Sequence, residues 1–179
     1  MRLSKLSYYS DFVVYPVVIG ALAAAALAHA DGLRDAHWAG AFLAGIGAWT
    51  LLEYLLHRIA LHAVGYFVPM HALHHRAPRA YVGTPTWLSL AVLCGVILLP
   101  IWRFAGFTLA SGLTGGMMLG YLWYGLVHHL IHHCRGESVP FFLKGLRTRH
   151  LRHHYSPRKG NFGVTCAFWD HAFGTLIKS

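Results

Sequence analysis

Four stretches of the chain are apolar for long enough to cross a bilayer, which takes about 20 residues of helix: 12–30, 38–56, 86–102 and 107–127. The third is the shortest, and its one proline, Pro100, stands near its end. A polar link at 31–37 joins the first two runs and only 103–106 joins the last two, so the runs are expected to pair as two tight antiparallel hairpins. Polar residues collect in the remainder, the loop 57–85 and the C-terminal segment 128–179. The pattern predicts an all-α integral membrane protein. Four transmembrane helices in two hairpins carry a helical cap, all within a single domain over 1–179.

Composition agrees with this reading. The chain is 56% hydrophobic and 12% charged, about half the charge of a soluble domain. Such apolar content excludes disorder, and three cysteines, with Cys94 inside an apolar run, exclude a disulfide scaffold. A net charge of +9 first suggests nucleic acid, but in so hydrophobic a chain the expected partner is anionic lipid and no nucleic acid. Loops rich in Lys and Arg stay in the cytoplasm. With the N-terminus inside, 13 of the 15 basic residues are cytoplasmic and only Arg34 and Arg103 lie outside, which places both termini and the cap in the cytoplasm. A signal peptide ending at Ala28-His29-Ala30 fits less well, because the apolar stretch is longer than a usual signal core and Asp11 interrupts its approach.

The same topology sorts the histidines. There are 15, as many as Lys and Arg together, and all except His29 and His37 gather on the inner face. They read His57-x4-His62, His71-x2-His74-His75, His128-His129-x2-His132-His133 and His150-x2-His153-His154. Spacings of three and four put imidazoles on one helical face. Five residues instead turn an α-helix about 140° past its starting face, so the helix carrying His57 and His62 is expected to end or bend there, with Gly65 and Pro69 close behind. Neutral imidazoles with few carboxylates or cysteines suit iron, zinc, copper or nickel. One zinc takes about four ligands, so ten or more converging histidines imply two ions, and redox metals become attractive. His29, His37 and His171 read as packed or interfacial residues. In the third cluster spacing does not choose between the His128/His132 pair and a set containing His129, His132 and His133.

At these residues the chain resembles the fatty acid hydroxylase superfamily of membrane di-iron enzymes, which also holds sterol desaturases, sterol methyl oxidases and carotenoid hydroxylases. The resemblance runs from about Glu53 to Thr175 on Glu53-Tyr54-x2-His57-Arg58-x3-His62, His71-x2-His74-His75-x2-Pro78, Tyr124-x3-His128-x3-His132-His133 and His150-x2-His153-His154-Tyr155. The tail Asn161-Phe162-Gly163-Val164-Thr165-Cys166-x2-Trp169-Asp170-x2-Phe173-Gly174-Thr175 is most similar to the fatty acid 2-hydroxylase branch, which acts on sphingolipid acyl chains. The resemblance implies ten metal ligands: His57, His62, His71, His74, His75, His128, His132, His150, His153 and His154. It leaves His129 and His133 as residues that pack near the ligands. It implies two iron ions, with zinc able to substitute, dioxygen as co-substrate, and hydroxylation of a fatty acid or sphingolipid acyl chain at the alpha carbon. Gly125 stands where the branch usually has Asp and Asn161 where it usually has Gly, both bearing on substrate placement. No cytochrome b5 domain precedes the spans, so electrons are expected from a separate donor, cytochrome b5-like or ferredoxin-type.

Two carboxylates complete the expected catalytic set. Glu53 lies one turn before His57 near the end of a span, where an unpaired carboxylate is costly, and a ligand imidazole N–H is a natural partner. Asp170 is the second, with a turn or cap role as its alternative. A helix is predicted over 138–155, started by Ser138 with Pro140 in its first turn and stopped before Pro157. Its apolar Phe141, Phe142, Leu143 and Leu146 followed by Arg147, Arg149 and Arg152 suit a membrane surface. Those arginines would hold lipid heads, dock an acidic electron donor, or simply maintain topology. The lipid substrate is expected to enter from the bilayer, past Tyr54, Tyr81, Trp87, Tyr124 or Phe162, although aromatics near an interface also serve as anchors. Two other classes compete: a carotenoid or sterol hydroxylase or desaturase on the same metal core, and a non-enzymatic metal-binding membrane protein. A transporter needs ligands along a path across the membrane, whereas these gather on one side.

Overall fold

In the computed structural model, which describes residues 2–28, 32–135 and 138–177, helices follow one another with short links. His29, Lys178 and the end of the first apolar run, with its alternative cleavage site, lie outside the described residues. The helices are α1 (Lys5–Tyr9), α2 (Asp11–Leu27), α3 (Gly32–Leu55), α4 (Val68–Arg76), α5 (Thr86–Val92), α6 (Leu99–Ala105), α7 (Phe107–His133), α8 (Lys144–Tyr155) and α9 (Phe168–Ala172). Two π-helical turns, Leu56–Leu61 and Leu93–Leu98, continue α3 and join α5 to α6. Pro100 has no N–H for the carbonyl four residues earlier, and the second π turn lies directly ahead of it.

Three helical stretches are long and apolar enough to cross a membrane: Lys5–Leu27, Gly32–Leu61 and Thr86–Ala105. They leave large apolar side chains outward, with Val13, Leu43 and Phe104 exposed at 67%, 68% and 86%, a surface that water disfavours and lipid does not. The fourth expected span lies in α7. Its 27 residues suffice in length, but Thr108, Ser111, Thr114 and its glycines dilute it, and it stays outside that apolar set.

The chain divides into two compact units, 1–49 with 81–122 and 50–80 with 123–179. In the first, a glycine seam joins α3 and α7. Gly112, Gly116 and Gly120 recur every fourth residue along α7, so they share one face. A Cβ at Gly116 would stand 2.0 Å from the Phe42 carbonyl oxygen, one at Gly112 2.7 Å from that of Trp38, and one at Gly120 2.5 Å from the Trp49 Cβ. The seam is matched from α3 by Gly45, whose added Cβ would meet the Leu113 carbonyl at 2.1 Å. The same unit contains a polar knot. Asp11 accepts from the Thr86 hydroxyl at 2.5 Å and from the Tyr121 hydroxyl at 2.9 Å, while Tyr15 donates to Ser89 at 2.8 Å. The carboxylate that interrupts the first apolar run is thus paired, as its low-dielectric setting requires.

In the second unit, Val127, Ile131, Val139, Leu143 and Val164 form a buried apolar cluster that fixes the end of α7 against the segment entering α8 and against the tail. The helix predicted from Ser138 begins later. Pro140 adopts an extended ψ of 139°, a 3-10 turn covers Phe141–Leu143, and α8 starts at Lys144, ending at Tyr155 ahead of Pro157 as expected.

The glycine seam makes a direct prediction. Gly116→Ala should lower the unfolding temperature in detergent by the equivalent of about 1–3 kcal/mol. Gly40→Ala, where nothing lies within 4 Å of the added Cβ, should be neutral or stabilising because Ala favours helix.

Candidate metal centre

The second unit brings all ten proposed ligands into two groups of five. His57, His62, His71, His75 and His153 form the first, and His74, His128, His132, His150 and His154 the second; within each, one ligand nitrogen per ring lies within 4.8 Å of all the others. Helical spacing explains most of this. His71 and His75 on α4 are one turn apart, as are His128 and His132 on α7 and His150 and His154 on α8. The remaining histidines, His74 and His153, sit one residue before the partner of such a pair, so α4 and α8 each serve both groups.

His57 and His62 need a different solution. The helix does not end between them; it rewinds as the π turn Leu56–Leu61. With i to i+5 hydrogen bonding, residues five apart come back to one face, and the two rings lie 5.3 Å apart.

The nitrogens meet at distances that suit a shared cation. In the first group Nε2 of His71 is 3.1 Å from that of His57, 3.0 Å from His62 and 2.9 Å from His75. His153 Nε2 lies 3.1 Å from His62 and 3.2 Å from His75. In the second group the contacts are 3.0 Å for His74 with His128, 2.9 Å for His132 with His150 and 3.1 Å for His150 with His154. Metal–imidazole bonds of about 2.0–2.1 Å place neighbouring nitrogens at right angles about 2.9 Å apart, so the donor set fits a metal in each group.

Tautomers agree. His57 Nδ1 lies 2.6 Å from the Phe162 carbonyl and His153 Nδ1 2.9 Å from that of Gly160. A carbonyl only accepts, so each Nδ1–H donates and each Nε2 keeps its lone pair toward the group. Burial, reinforced by the His75 imidazole, pulls His62 and His74 down to about 4. At His153 burial outweighs the Gly160 bond and takes the ring to about 3. His71, His75, His150 and His154 are likewise pushed down by burial first and by neighbouring rings where those add. All of these are neutral near pH 7, the state a metal requires.

The two carboxylates stand behind the ligands. Glu53, 3% exposed, accepts the Val164 and Thr165 amides at 2.6 and 2.9 Å and the Thr165 hydroxyl at 2.5 Å. Asp170, fully buried, accepts the Phe162 and Gly163 amides at 2.9 and 2.8 Å and the Thr175 hydroxyl at 2.7 Å. Glu53 therefore has the partner its setting demands, but that partner is the loop backbone, not an imidazole. Asn161 has φ +56°, a region open to Gly and tolerated by Asn. Its buried side chain donates to the Arg149 carbonyl and accepts the Ile177 amide, so this departure from the usual Gly is a joint in the tail.

His129 and His133 stack on each other at 4.2 Å and belong to neither group, nor do the exposed His37 and His171. The Phe162 ring contacts His57, His62 and His153 edge-on, and Tyr124 stacks on His128. Tyr54 stacks on Phe173 and bonds Thr175 and Arg58, an anchoring role. Tyr81 and Trp87 lie in the other unit. Sequence reasoning missed Thr165 and Thr175 as partners of the carboxylates, and Gly163, where a Cβ would stand 2.1 Å from the Cys166 carbonyl; their one signal was membership of the tail motif. A cavity of about 340 Å³ opens beside the first group, with His62, His71 and His75 in its wall, Leu61, Val68 and Ala72 as its apolar lining, and Arg76 exposed at its side.

The fatty acid hydroxylase family model matches residues 42–175. The chain belongs to the fatty acid hydroxylase family. Among relatives of this chain, a dihydroceramide fatty acyl 2-hydroxylase of Arabidopsis thaliana is 32% identical over 74% of the chain and 58% of its own length. The ceramide very long chain fatty acid hydroxylase of Saccharomyces cerevisiae is 34% identical over 76% and 38%, and the fatty acid 2-hydroxylase of Homo sapiens 32% over 76% and 39%. The chain thus spans between about two fifths and three fifths of these relatives. A solved structure of full-length scs7p, in which only the hydroxylase domain is visible, superposes with a TM-score of 0.79 at 27% identity, covering 96% of this chain and 67% of that one. The 2-hydroxylase branch expected from the tail is the branch these relatives represent, and three helical stretches long and apolar enough to cross a membrane mark this chain as a membrane protein.

The neutral histidines set a pH dependence. Each has its value in the fold below the ordinary 6.5, so between the two values the unfolded chain binds more protons and acid favours unfolding. The stability of chelator-treated protein should be constant above about pH 6.5 and fall as the pH drops toward 4, read as a declining unfolding temperature in detergent.

Proposed function

We propose that this protein is a di-iron oxygenase that hydroxylates the acyl chain of a fatty acid or sphingolipid at the alpha carbon. The observation that carries the reading is the pair of five-imidazole groups in a member of this family. In the proposed arrangement α7 supplies a fourth span, the helices pair as two hairpins, both termini are cytoplasmic, and 57–85 and 128–179 form a cytoplasmic cap within one domain. The basic count on the loops supports that orientation.

Converting an acyl C–H bond to C–OH is a two-electron oxidation for which side chains hold no oxidant, so a metal must supply the oxidising power. Two bound irons would supply the oxidising chemistry by which dioxygen gives one atom to the C–H bond and the other to water, with two electrons from a separate donor and two protons from solvent. The chain's own residues hold and orient. The ten histidines present neutral Nε2 atoms to the ions. The Phe162 and Gly160 carbonyls fix two of those rings, and Glu53 and Asp170 act as positioning residues through the loop they bond. The apolar wall of the cavity beside His62, His71 and His75 suits an acyl chain and limits water there.

Lipid extracts from cells expressing the protein should contain acyl chains heavier by one oxygen at the alpha carbon, and His153→Ala should abolish them. Oxygen added to a ring, or loss of two hydrogens, would point to the carotenoid or sterol chemistry instead. No difference between wild type and variant overturns the enzymatic reading, and fewer than two metals per active chain overturns the two-ion reading.

A further inference from the structure

The two groups differ in what stands behind their rings. In the first, His57 and His153 donate Nδ1–H to carbonyls of one loop, Phe162 and Gly160. That loop is buried from Gly160 to Val164, and its amides at Phe162, Gly163, Val164 and Thr165 all end on Glu53 or Asp170. In the second, the Nδ1 atoms of His150 and His154 are buried with no hydrogen-bond partner. The Phe162 ring also contacts three rings of the first group, His57, His62 and His153.

We infer that the loop 160–165, braced by Glu53 and Asp170, is a positioning device for the first metal site alone, so that the two sites hold their ions with different strength and the carboxylates control only one of them. The inference rests on the two-metal reading. Its physical basis is that an imidazole held by its second nitrogen has its tautomer and ring angle set before the metal arrives, and losing such a support costs about 10–100-fold in metal affinity. Asp170→Asn replaces one acceptor oxygen with an amide that cannot accept an N–H, releasing the loop at Phe162 or Gly163 without changing size. Glu53 takes both the Val164 and Thr165 amides on Oε1 and the Thr165 hydroxyl on Oε2, so Glu53→Met, which keeps the length and removes both acceptors, releases the loop there. Neither change touches a ring of the second group.

The test uses protein loaded with cobalt(II) in detergent and challenged with increasing EDTA, reading cobalt retained per chain and its visible absorption. Wild type should hold two equivalents. Asp170→Asn and Glu53→Met should each lose one equivalent at about 10- to 100-fold lower EDTA and hold the other at the wild-type concentration. Asp11→Asn, which removes a carboxylate of the polar knot far along the chain from both groups, should match wild type. Retention of both ions at the wild-type concentration overturns the inference, and so does parallel weakening of both, the signature of general destabilisation. A wild type that never holds two equivalents defeats the two-metal reading and this inference with it. Should Asp170→Asn not fold, Thr175→Val, which removes one donor to Asp170, carries the test with the same outcomes.

Discussion

Ten imidazole nitrogens in two sets, each set within 4.8 Å of one another and with neighbours about 3 Å apart, are the constraint to which the second unit answers. Lone pairs do not gather unaided. Each ring has to stay neutral, which burial ensures, and has to be aimed, which demands helices of fixed register. Three helices and one π turn supply that register. An apolar cluster of Val127, Ile131, Val139, Leu143 and Val164 holds the end of α7 against the segment entering α8 and the tail.

Polar groups buried in this chain are used as fasteners. Glu53 and Asp170 together receive four amides and two hydroxyls of the tail, in a setting where each carboxylate would otherwise be costly. Asp11 does comparable work in the first unit, joining α2 to Thr86 and Tyr121. In both places acids tie segments distant in sequence, while the imidazoles aim their lone pairs at two common points.

Much of this could be read from the residues. The histidine clusters, the apolar runs and the end of α8 before Pro157 follow from periodicity and local chemistry, because both operate within a few residues. What escaped is non-local or depends on winding. Glu53 plainly needed a partner, but nothing at position 53 says that the partner is a backbone more than a hundred residues away. The spacing from His57 to His62 shows that an ordinary helix fails there, yet ending, bending and rewinding all satisfy that condition. Pro140 signals a helix start, but its extended ψ delays α8 to Lys144, more than a turn and a half beyond Ser138. The glycines of α7 read as diluted hydrophobicity until the α3 backbone is seen against them.

The π turn at Leu56–Leu61 amounts to one residue more than an α-helix would use over the same rise. That surplus rotates everything before it by about 100° relative to everything after it. Upstream lies Glu53, aimed at the tail; downstream lies His62, aimed at its four companions. Removing Ile59 or Ala60 from the turn would keep every ligand and every charge, yet turn one half of the helix away from its task. Chain length in this short interval is therefore itself a functional quantity, as surely as the identity of any histidine.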